Sequence, residues 1–506
     1  MSALLTSLLL CIHLLALLLP FPSRVLAQAN VSTNREDFYY RIETIPLPED
    51  VVLEVGGLAF LPDGRLMAST RHGEIWALKD GQWKRWAFGL DEPMGICVTG
   101  PDQVVVAQRP ETTRITDTDG DGEADLFETL ADQWNYSGHY YEWNFGLVRD
   151  RAGNFWGTLA CWFYPTQKYD KPPYSGWEIP PPRGYTPGAD TAWRGWIYKL
   201  TPQGEFLPWA SGVRSPNGLA LSPEGDLFVS DNQGEYFGAN PVHHVTQGSF
   251  HGHPTALLWG PDRVADPFSI PLEELDRRRR LPALMLPYGV MGQSISEMVW
   301  DQTGGKFGPF GGQMFIGDQT KCFVARCVLE KVDGEYQGAA FPFRAGFQCG
   351  VNRLVWAPDG SLLAGETDRG WGSIGGQRYG LQRVVWTGQV PMEIATMSLT
   401  PRGFDLTFTK PVDPATARDP AAYSLQHYHY HYHRTYGSPQ VANTPVKVSE
   451  VTISADRKRV SLLLPELVTR KIYELHIRGL KAEDGSKLLH PDAYYTLNRL
   501  RGDGHL

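Results

Sequence analysis

The stretch Pro216-Asn-Gly-Leu-Ala-Leu-Ser-Pro-Glu-Gly-Asp-Leu-Phe-Val-Ser-Asp-Asn232 sets the pattern for most of this chain. Small and apolar residues alternate from Gly218 to Leu221, a Pro-Glu-Gly turn follows, and a second alternation runs from Leu227 to Ser230. Alternation on both sides of a short turn predicts a β-hairpin.

Versions of this hairpin recur along about the first 390 residues. Four align on the turn, and a looser copy from Met298 to Gln319 carries a Gly-rich insertion; the four are residues 57–71, 95–109, 146–160 and 353–367. Repeats spaced by roughly 40 to 80 residues indicate a solenoid, an array or a propeller. The segments between them are strand-like, and they contain no heptads or long amphipathic helices. This favours an all-β, six-bladed β-propeller over unrelated hairpins in separate sandwiches.

Composition changes at both ends of the repeats. A Leu-rich run and the small residues Val25-Leu-Ala27 predict a secretory signal peptide at 1–27, with an uncleaved anchor as the alternative. A linker is expected at 28–48 and the propeller at 49–389. Shorter alternating segments then predict a small β-sandwich of immunoglobulin or fibronectin type at 390–499, with a tail at 500–506. No later stretch approaches the roughly 20 apolar residues of a membrane helix. We expect a secreted or periplasmic protein.

Net charge and cysteine count limit the kinds of function and the disulfides that the sequence predicts. The net charge is -9, and the only basic block is Arg277–Arg280, so nothing indicates nucleic-acid binding. Signal removal would leave five cysteines. In an oxidising compartment one or two disulfides are expected, with Cys322–Cys327 and Cys322–Cys349 as candidate pairs.

An acidic loop follows the second hairpin. Its sequence, Asp-Thr-Asp-Gly-Asp-Gly-Glu-Ala-Asp-Leu-Phe-Glu, fits the calcium-loop pattern D-x-D-x-D-G-x5-E. No amphipathic helix flanks it, so we expect an isolated Ca²⁺ loop that stiffens a surface connection, or else a solvated acidic turn. The candidate ligands are Asp117, Asp119, Asp121, Glu123, Asp125 and Glu128.

Hairpin geometry places a set of polar residues together. The residue before the first strand and the residue after the second lie at the same end of a hairpin, so Asn217 and Asn232 are neighbours. Radial stacking of the hairpins would bring the equivalent residues to one mouth, where convergent polar groups predict a binding site. Alternatively, an Asp at a strand end caps a neighbouring turn. The predicted ring comprises Arg71, Arg109, Asn144, Asn217, Asp231, Asn232, Asp318, Gln319, Asn352 and Glu366. Arg369, three residues after Glu366, is a further candidate for the same site.

Several of these motifs together resemble the glucose/sorbosone dehydrogenase family. They are the Gly-Leu-Ala-x-x-Pro-Asp-Gly hairpins, the Arg-x-Pro-x-Gly-Leu of 214–219 and the Ser-Asp-Asn of 230–232. The His-Gly-His-Pro of 251–254 and the acidic loop further resemble large secreted dehydrogenase-like proteins of planctomycete and verrucomicrobial type. The resemblance covers about residues 51–387. It implies a secreted propeller that holds pyrroloquinoline quinone (PQQ), oxidises a sugar or oligosaccharide and passes electrons to an acceptor such as a cytochrome.

The resemblance also implies catalytic residues. Family members use a histidine as general base in the loop that enters the third hairpin. Here that loop reads Tyr-Tyr-Glu-Trp-Asn at 140–144, so the implied base is His139 or, in its place, Glu142. Arg214 matches the family arginine over the cofactor, although Ser215 replaces its usual Asn neighbour.

Two other functions fit the same residues. Pro216-Asn-Gly also resembles the gluconolactonase propellers, which implies a central divalent cation held by Asn217, Asn352 and Glu366 in a lactonase-like hydrolase. A non-catalytic glycan-binding or partner-binding propeller would use the long aromatic insertion from Phe163 to Trp196 and the appended sandwich.

Four histidines alternate with tyrosines between His427 and His433. In an extended strand all four imidazoles would line one face, about 6.6 Å apart. Adjacent pairs could then share Zn²⁺ or Cu²⁺. The alternative is an amphipathic strand with Tyr packed inward and His in solvent.

Overall fold

Antiparallel strands are the main regular elements of the described chain. The computed structural model describes residues 35–136, 141–161 and 191–502. In chain order the strands up to residue 386 are β1 Tyr40–Thr44, β2 Val55–Phe60, β3 Leu66–Thr70, β4 Ile75–Lys79, β5 Gln82–Ala87, β6 Ile96–Gly100, β7 Gln103–Ala107, β8 Thr112–Thr116, β9 Leu126–Ala131, β10 Asn144–Arg149, β11 Phe155–Leu159, β12 Trp196–Leu200, β13 Phe206–Ser211, β14 Gly218–Leu221, β15 Leu227–Ser230, β16 Asn240–Val245, β17 Leu284–Leu286, β18 Ile295–Trp300, β19 Met314–Asp318, β20 Phe323–Val332, β21 Glu335–Ala345, β22 Val351–Trp356, β23 Leu362–Thr367 and β24 Tyr379–Trp386.

These strands form successive four-stranded sheets. Sheets 1 to 5 take β2 to β21 in consecutive groups of four, and sheet 6 consists of β22, β23, β24 and β1. The innermost strands β2, β6, β10, β14, β18 and β22 contact each other in turn, and β22 contacts β2 again. The sheets therefore close into a ring, and the fold is all-β and propeller-like.

The predicted hairpins become the two inner strands of the sheets. In the quoted stretch Gly218 pairs with Ser230 and Leu221 with Leu227. Gly225 in the turn has φ +98°, which glycine adopts without strain. A Cβ on Gly218 would lie 2.1 Å from Ser296 O, so the small residue lets β14 approach β18 near the axis.

The N-terminal segment closes the ring. Tyr40 pairs with Trp386 and Thr44 with Gln382, so β1 is the outer strand of sheet 6. The expectation of a plain linker before residue 48 was therefore wrong. Five residues with weak alternation give little local signal, and β24 supplies the pairing partner from 340 residues away.

A second unit follows residue 390. Its strands are β25 Ile394–Thr400, β26 Gly403–Phe408, β27 Tyr423–His429, β28 Val441–Val446, β29 Glu450–Ile453, β30 Arg459–Leu463, β31 Lys471–Ile477 and β32 Asp492–Leu497. One sheet has the order β25-β26-β30-β29, and β32-β31-β27-β28 continues sheet 5 through the pairing of β21 with β32. Phe404 packs 5.2 Å from Tyr473 and 5.0 Å from Tyr495, ring centroid to centroid, in the core between the two sheets.

Helices are few and short in the part of the chain that the structure describes. The excursion between β16 and β17 contains 3-10 turns at Pro254–Leu258 and Pro267–Ser269 and helix α1 at Leu272–Arg278. Other short elements are a 3-10 turn at Arg35–Phe38, helix α2 at Pro414–Ala417 and a 3-10 turn at Pro420–Ala422. Among the residues described, no helix has the length and apolar character to cross a membrane.

His490 joins the N-terminal segment to the second unit. Its Nδ1 lies 2.6 Å from Glu393 Oε1 and its Nε2 lies 3.0 Å from Glu36 Oε1. Burial alone would lower the histidine pKa, but the two carboxylates outweigh burial and raise the pKa to about 9. The imidazolium therefore holds two carboxylates that are distant in sequence.

Candidate functional site

Three arginines meet one carboxylate at the end of the ring where the predicted polar residues gather. Arg71, Arg109 and Arg369 follow β3, β7 and β23, and Glu92 precedes β6. Arg71 Nη2 and Arg369 Nε lie 2.9 and 3.0 Å from Glu92 Oε1. Arg109 Nη2 pairs with Glu92 Oε2. Side chains from sheets 1, 2 and 6 therefore converge at this mouth.

The arginines and carboxylates of the cluster are strongly coupled. Burial raises the pKa of Glu92, but the three guanidiniums outweigh burial and hold the pKa below its usual value. Glu54 adds a second carboxylate, 3.3 Å from Arg369 Nη1. Asp91 is a third carboxylate of the cluster, since both Arg109 and Glu92 act on its pKa. Arg369 is 36 % exposed and is the most accessible arginine, because Arg71 and Arg109 are buried.

Indole rings border the arginines. The guanidinium carbons of Arg71 and Arg109 lie 5.7 and 5.8 Å from the ring centroid of Trp143. Trp371 packs against Trp143 with a centroid distance of 4.9 Å. Cation–π contacts of this kind contribute about 0.5–2 kcal/mol. The mouth therefore combines cationic and planar aromatic groups.

Arg214 lies at a second part of the mouth. Its Nε donates to Glu235 Oε2 at 2.7 Å, and its guanidinium carbon lies 5.2 Å from the ring centroid of Tyr436. Tyr436 belongs to the C-terminal unit and reaches the mouth because Gly437 N donates to Gly234 O at 2.9 Å. The C-terminal unit thus contributes an exposed aromatic side chain to the mouth.

Two aspartates of the predicted ring cap turns. Asp231 accepts hydrogen bonds from the backbone N–H groups of Arg214 and Ser215 at 2.7 Å each. Burial raises the pKa of Asp231 to about 6, against the lowering effect of these donors. Asp318 likewise accepts from the N–H groups of Gln293 and Ser294 at 2.6 and 2.8 Å. Their first role is to shape the loops that carry the mouth.

Three amides of the ring are also committed to internal contacts. Asn144 Oδ1 accepts from Tyr198 Oη at 2.8 Å. Asn232 Nδ2 donates to the carbonyl of Ser215 at 3.2 Å. Gln319 Nε2 donates to Arg369 O at 3.0 Å and so supports the loop of the accessible arginine.

Arg353, which sequence reasoning did not select, occupies the axis of the ring. Its Nε donates to Gly56 O at 2.6 Å, its Nη2 to Met94 O at 2.8 Å and its Nη1 to Asn217 Oδ1 at 2.8 Å. Asn217 Nδ2 donates in turn to Asn352 Oδ1 at 3.0 Å. The predicted ring members Asn217 and Asn352 therefore belong to a network that joins segments of sheets 1, 2, 4 and 6.

A channel continues along the axis toward the turns. Its volume is about 310 Å³, and the inner strands line it. Glu297 of β18 lies in this channel with its Oε2 3.5 Å from Arg353 Nε. Burial raises the pKa of Glu297 to about 7, although Arg353 opposes this shift.

Of the two implied general bases, the structure describes Glu142. The side chain is buried, and its Oε2 lies 4.0 Å from Arg194 Nη2. His139 falls outside the described residues, as does most of the aromatic insertion. Glu142 stands between Tyr141 and Trp143, whose rings pack 5.3 Å apart, so it lies beside the cationic and aromatic cluster.

Glu366 is buried beside a pair of thiols. Burial raises its pKa well above the usual value, while the amide of Gln348 opposes the shift. Cys322 Sγ and Cys349 Sγ lie 3.3 and 3.8 Å from Ser373 Oγ. Glu366 raises the pKa of both thiols in addition to the larger effect of burial.

The disulfide prediction was wrong, because all five described cysteines are free. Cys322 and Cys327 are five residues apart along an extended segment, so their Cα atoms lie roughly 16 Å from each other. A disulfide needs a Cα separation of at most about 7 Å. Cys322 and Cys349 approach the same hydroxyl but remain thiols.

The acidic loop brings together three of its six predicted ligands. Carboxylate oxygens of Asp117, Asp119 and Asp121 lie within 4.8 Å of one another. Asp125 instead accepts from Thr118 Oγ1 at 2.6 Å. The remaining two are Glu123, which is exposed, and Glu128, which lies on β9 with its Oε2 3.7 Å from Arg114 Nη1. If a cation bound to the loop in this conformation, its carboxylate ligands from the protein would be these three aspartates.

The alternating histidines lie side by side. The ring centroids of His429 and His431 are 5.7 Å apart, and those of His431 and His433 are 5.8 Å apart. Two of these histidines already have polar neighbours: His429 Nδ1 lies 2.9 Å from Lys471 Nζ, and His433 Nε2 lies 2.6 Å from Gly437 O. No three histidines in the described chain converge on one point.

Of the site residues that sequence reasoning missed, Arg353 could have been recognised from the alignment of the repeats. Arg353 stands where the other aligned copies begin with glycine, so a large cation in that column could have been noticed. Glu92, Trp371 and Tyr436 lie in loops outside the repeats and had no comparable signal.

No protein-family model matches the chain, and no curated protein matches it either. Several solved structures do match its fold. They include an oxidoreductase described as a glucose dehydrogenase from Thermus thermophilus, with 19 % identity, TM-score 0.49, and coverage of 68 % of this chain and 100 % of that one.

Two further matches represent different activities. The PQQ-bound aldose sugar dehydrogenase of Streptomyces coelicolor has 13 % identity, TM-score 0.46, and coverage of 68 % and 98 % of the two chains. A gluconolactonase of Xanthomonas campestris has 18 % identity, TM-score 0.39, and coverage of 69 % and 90 %. Sugar dehydrogenases of this kind are the class that the sequence resemblance named.

Proposed function

We propose that this chain is a propeller enzyme that oxidises a sugar or related carbohydrate at the mouth of the ring, with PQQ as its redox cofactor. The observation that carries the proposal is the convergence of three guanidinium groups on Glu92 beside the indoles of Trp143 and Trp371. PQQ is a planar polycarboxylate, so a cationic aromatic surface complements it.

The hydrogen-bond donors at the mouth are suited to the carboxylates of PQQ. Arg369 Nη2 has no hydrogen-bond partner among the described residues, and its side chain is accessible. A guanidinium suits a carboxylate in a bidentate arrangement, and an indole suits a planar ring. When bound, PQQ would supply the acceptor for two electrons from the substrate. Arg369 would hold a carboxylate and Trp371 would border the ring system.

The chain's own residues would orient the substrate and accept its proton. Glu142 lies beside the cluster, with its Oε2 4.0 Å from Arg194 Nη2, and a carboxylate in this position can take a proton from a sugar hydroxyl. Arg214 and Tyr436 border the mouth and can bind hydroxyl groups and the apolar face of a sugar.

The lactonase-like alternative needs a cation at Asn217, Asn352 and Glu366. Asn217 Oδ1 already accepts from Arg353 Nη1 at 2.8 Å, and Asn352 Oδ1 accepts from Asn217 Nδ2. A metal ion would therefore share its amide ligands with a guanidinium. This repulsion makes oxidation the better supported reaction.

The wider architecture belongs to the same proposal. We infer that the sheets are the blades of a six-bladed propeller that begins with β1, at residue 40, and ends near residue 389. We also infer that residues 390–499 form an immunoglobulin-like domain and that the acidic loop binds Ca²⁺. A cleaved signal at 1–27 would make the protein secreted or periplasmic. Mass spectrometry of the mature N-terminus would test the cleavage.

The test is a titration of the purified mature protein with PQQ in the presence of Ca²⁺, followed by a panel of aldoses. We expect saturable binding and sugar-dependent bleaching of the quinone absorbance. Arg369→Gln should weaken PQQ binding by about tenfold or more. The matched control is Arg378→Gln, whose side chain is 76 % exposed, and it should bind normally.

Absence of PQQ binding by folded, calcium-loaded protein would refute the cofactor assignment. Sugar binding without bleaching would instead support a glycan-binding propeller. Hydrolysis of an aldonolactone that depends on added metal would support the hydrolase.

A further inference from the structure

A cleft separates helix α1 and β17 from the C-terminal unit. Its volume is about 470 Å³, which is within the usual range for small-molecule sites. Asp276 and Arg279 of the excursion line one side, and His431, Tyr432 and Lys471 line the other. Clefts between packed units are common ligand sites. The proposed redox chemistry makes no use of this one.

The cleft contains a cation without a counter-charge. Lys471 Nζ lies 2.9 Å from the neutral acceptor His429 Nδ1, and no carboxylate of the described chain lies within ion-pair distance of Lys471. Arg279 and Arg470 share the single carboxylate of Asp276, with Arg470 Nη2 at 2.8 Å. With Glu273, the lining carries three cationic and two anionic side chains, so an anion would be attracted to Lys471.

One wall of the cleft is aromatic and already ordered. The guanidinium carbon of Arg279 lies 4.2 Å from the ring centroid of Tyr432, and Tyr432 Oη donates to Gly252 O at 2.6 Å. Tyr430 packs edge-on against Tyr428 at 5.8 Å. These contacts hold the rings before any ligand arrives, which reduces the entropy cost of binding.

We propose that this cleft binds a sugar acid, a saccharide with one carboxylate such as a uronate or an aldonate. Lys471 would pair with the carboxylate, and Tyr430 and Tyr432 would cover the apolar face of the sugar. A small inorganic anion would leave the aromatic wall and the neighbouring Met285 uncovered. A neutral sugar would leave Lys471 without its counter-charge.

Calorimetric titration of the mature protein with galacturonate, galactose and inorganic phosphate tests this assignment, and PQQ is not needed. We expect galacturonate to bind at least about tenfold more tightly than galactose or phosphate. Lys471→Met should weaken galacturonate binding by about tenfold, and Lys471→Arg should restore part of it. Lys487→Met, an exposed lysine outside the cleft, is the matched control and should bind as the unaltered protein does.

Exposed His431 lines the cleft, so His431→Ala tests the same site with little risk to folding. Weaker galacturonate binding by His431→Ala would support the site even if Lys471→Met does not fold. Equal binding of galacturonate and galactose, equal binding of phosphate, unchanged binding by both cleft variants, or no binding up to about 10 mM would each overturn the proposal.

Discussion

Replacing Arg353 with methionine should destabilise the whole ring rather than one sheet. The guanidinium is buried and donates to backbone or side-chain oxygens of Gly56, Met94 and Asn217. Methionine has similar length but no donor, so these acceptors would lose their partner. Glu297 would also lose the charge that lies 3.5 Å away.

The expected magnitude follows from these contacts. Removing one partner of a buried ion pair costs about 3–5 kcal/mol. Unsatisfied buried acceptors cost about 1–3 kcal/mol each, but such losses are not additive. We therefore expect the free energy of unfolding to fall by about 3–5 kcal/mol. Part of this should return in Arg353→Met/Glu297→Gln, because the double variant no longer buries an unpaired carboxylate.

The assay is urea unfolding followed by tryptophan fluorescence, because buried tryptophans such as Trp86, Trp134 and Trp143 report on several sheets. Arg41→Met is the control: this arginine lies on β1, is 61 % exposed and has a 3.7 Å ion pair with Glu43. Its loss should cost less than about 1 kcal/mol. If Arg353→Met were as stable as Arg41→Met, the axial network would not hold the sheets together.

Three further predictions concern pH, thiols and calcium. His490 has its pKa raised in the folded state, so its stabilisation is present in full below the unfolded value of 6.5 and is lost as pH rises through about 9. Relative to His490→Gln, the protein should lose up to about 3 kcal/mol of stability over that window, and a parallel pH profile of the two proteins would contradict the charge assignment. Mature protein prepared without reductant should release five titratable thiols on unfolding, whereas a disulfide would reduce that number by two. Added Ca²⁺ should raise the thermal midpoint of the unaltered protein but not of Asp117→Asn, and an equal rise in both would exclude the acidic loop as the site.

The repeated hairpins were predictable because strand alternation and turn residues act over short distances. The stretch 216–232 forms β14, its turn and β15, as the pattern indicated. Strand β1 could not be predicted in the same way, since its pairing with β24 depends on ring closure rather than on its own five residues.

The candidate site was predictable in outline only. Arg71 and Arg109 were expected at one mouth from their places after β3 and β7, and Arg369 was a further candidate. The structure brings all three to Glu92. Glu92 itself lies in a loop with no repeat to mark it. Asp231 and Asp318 were expected at strand ends, where a turn-capping role was one alternative. Which backbone N–H groups they accept from depends on the loop conformations, which the sequence pattern does not specify.

The amino-acid sequence alone determined the local units of this protein, namely hairpins whose alternating side chains and turn glycines specify strand, turn and strand. The tertiary structure decided which side chain lies at the axis of the ring. Glycine at the start of β14 leaves room for close inner strands, and Arg353, in the equivalent position of sheet 6, extends across that room to segments of other sheets. That arrangement depends on distances between residues up to 297 positions apart, which no local pattern encodes.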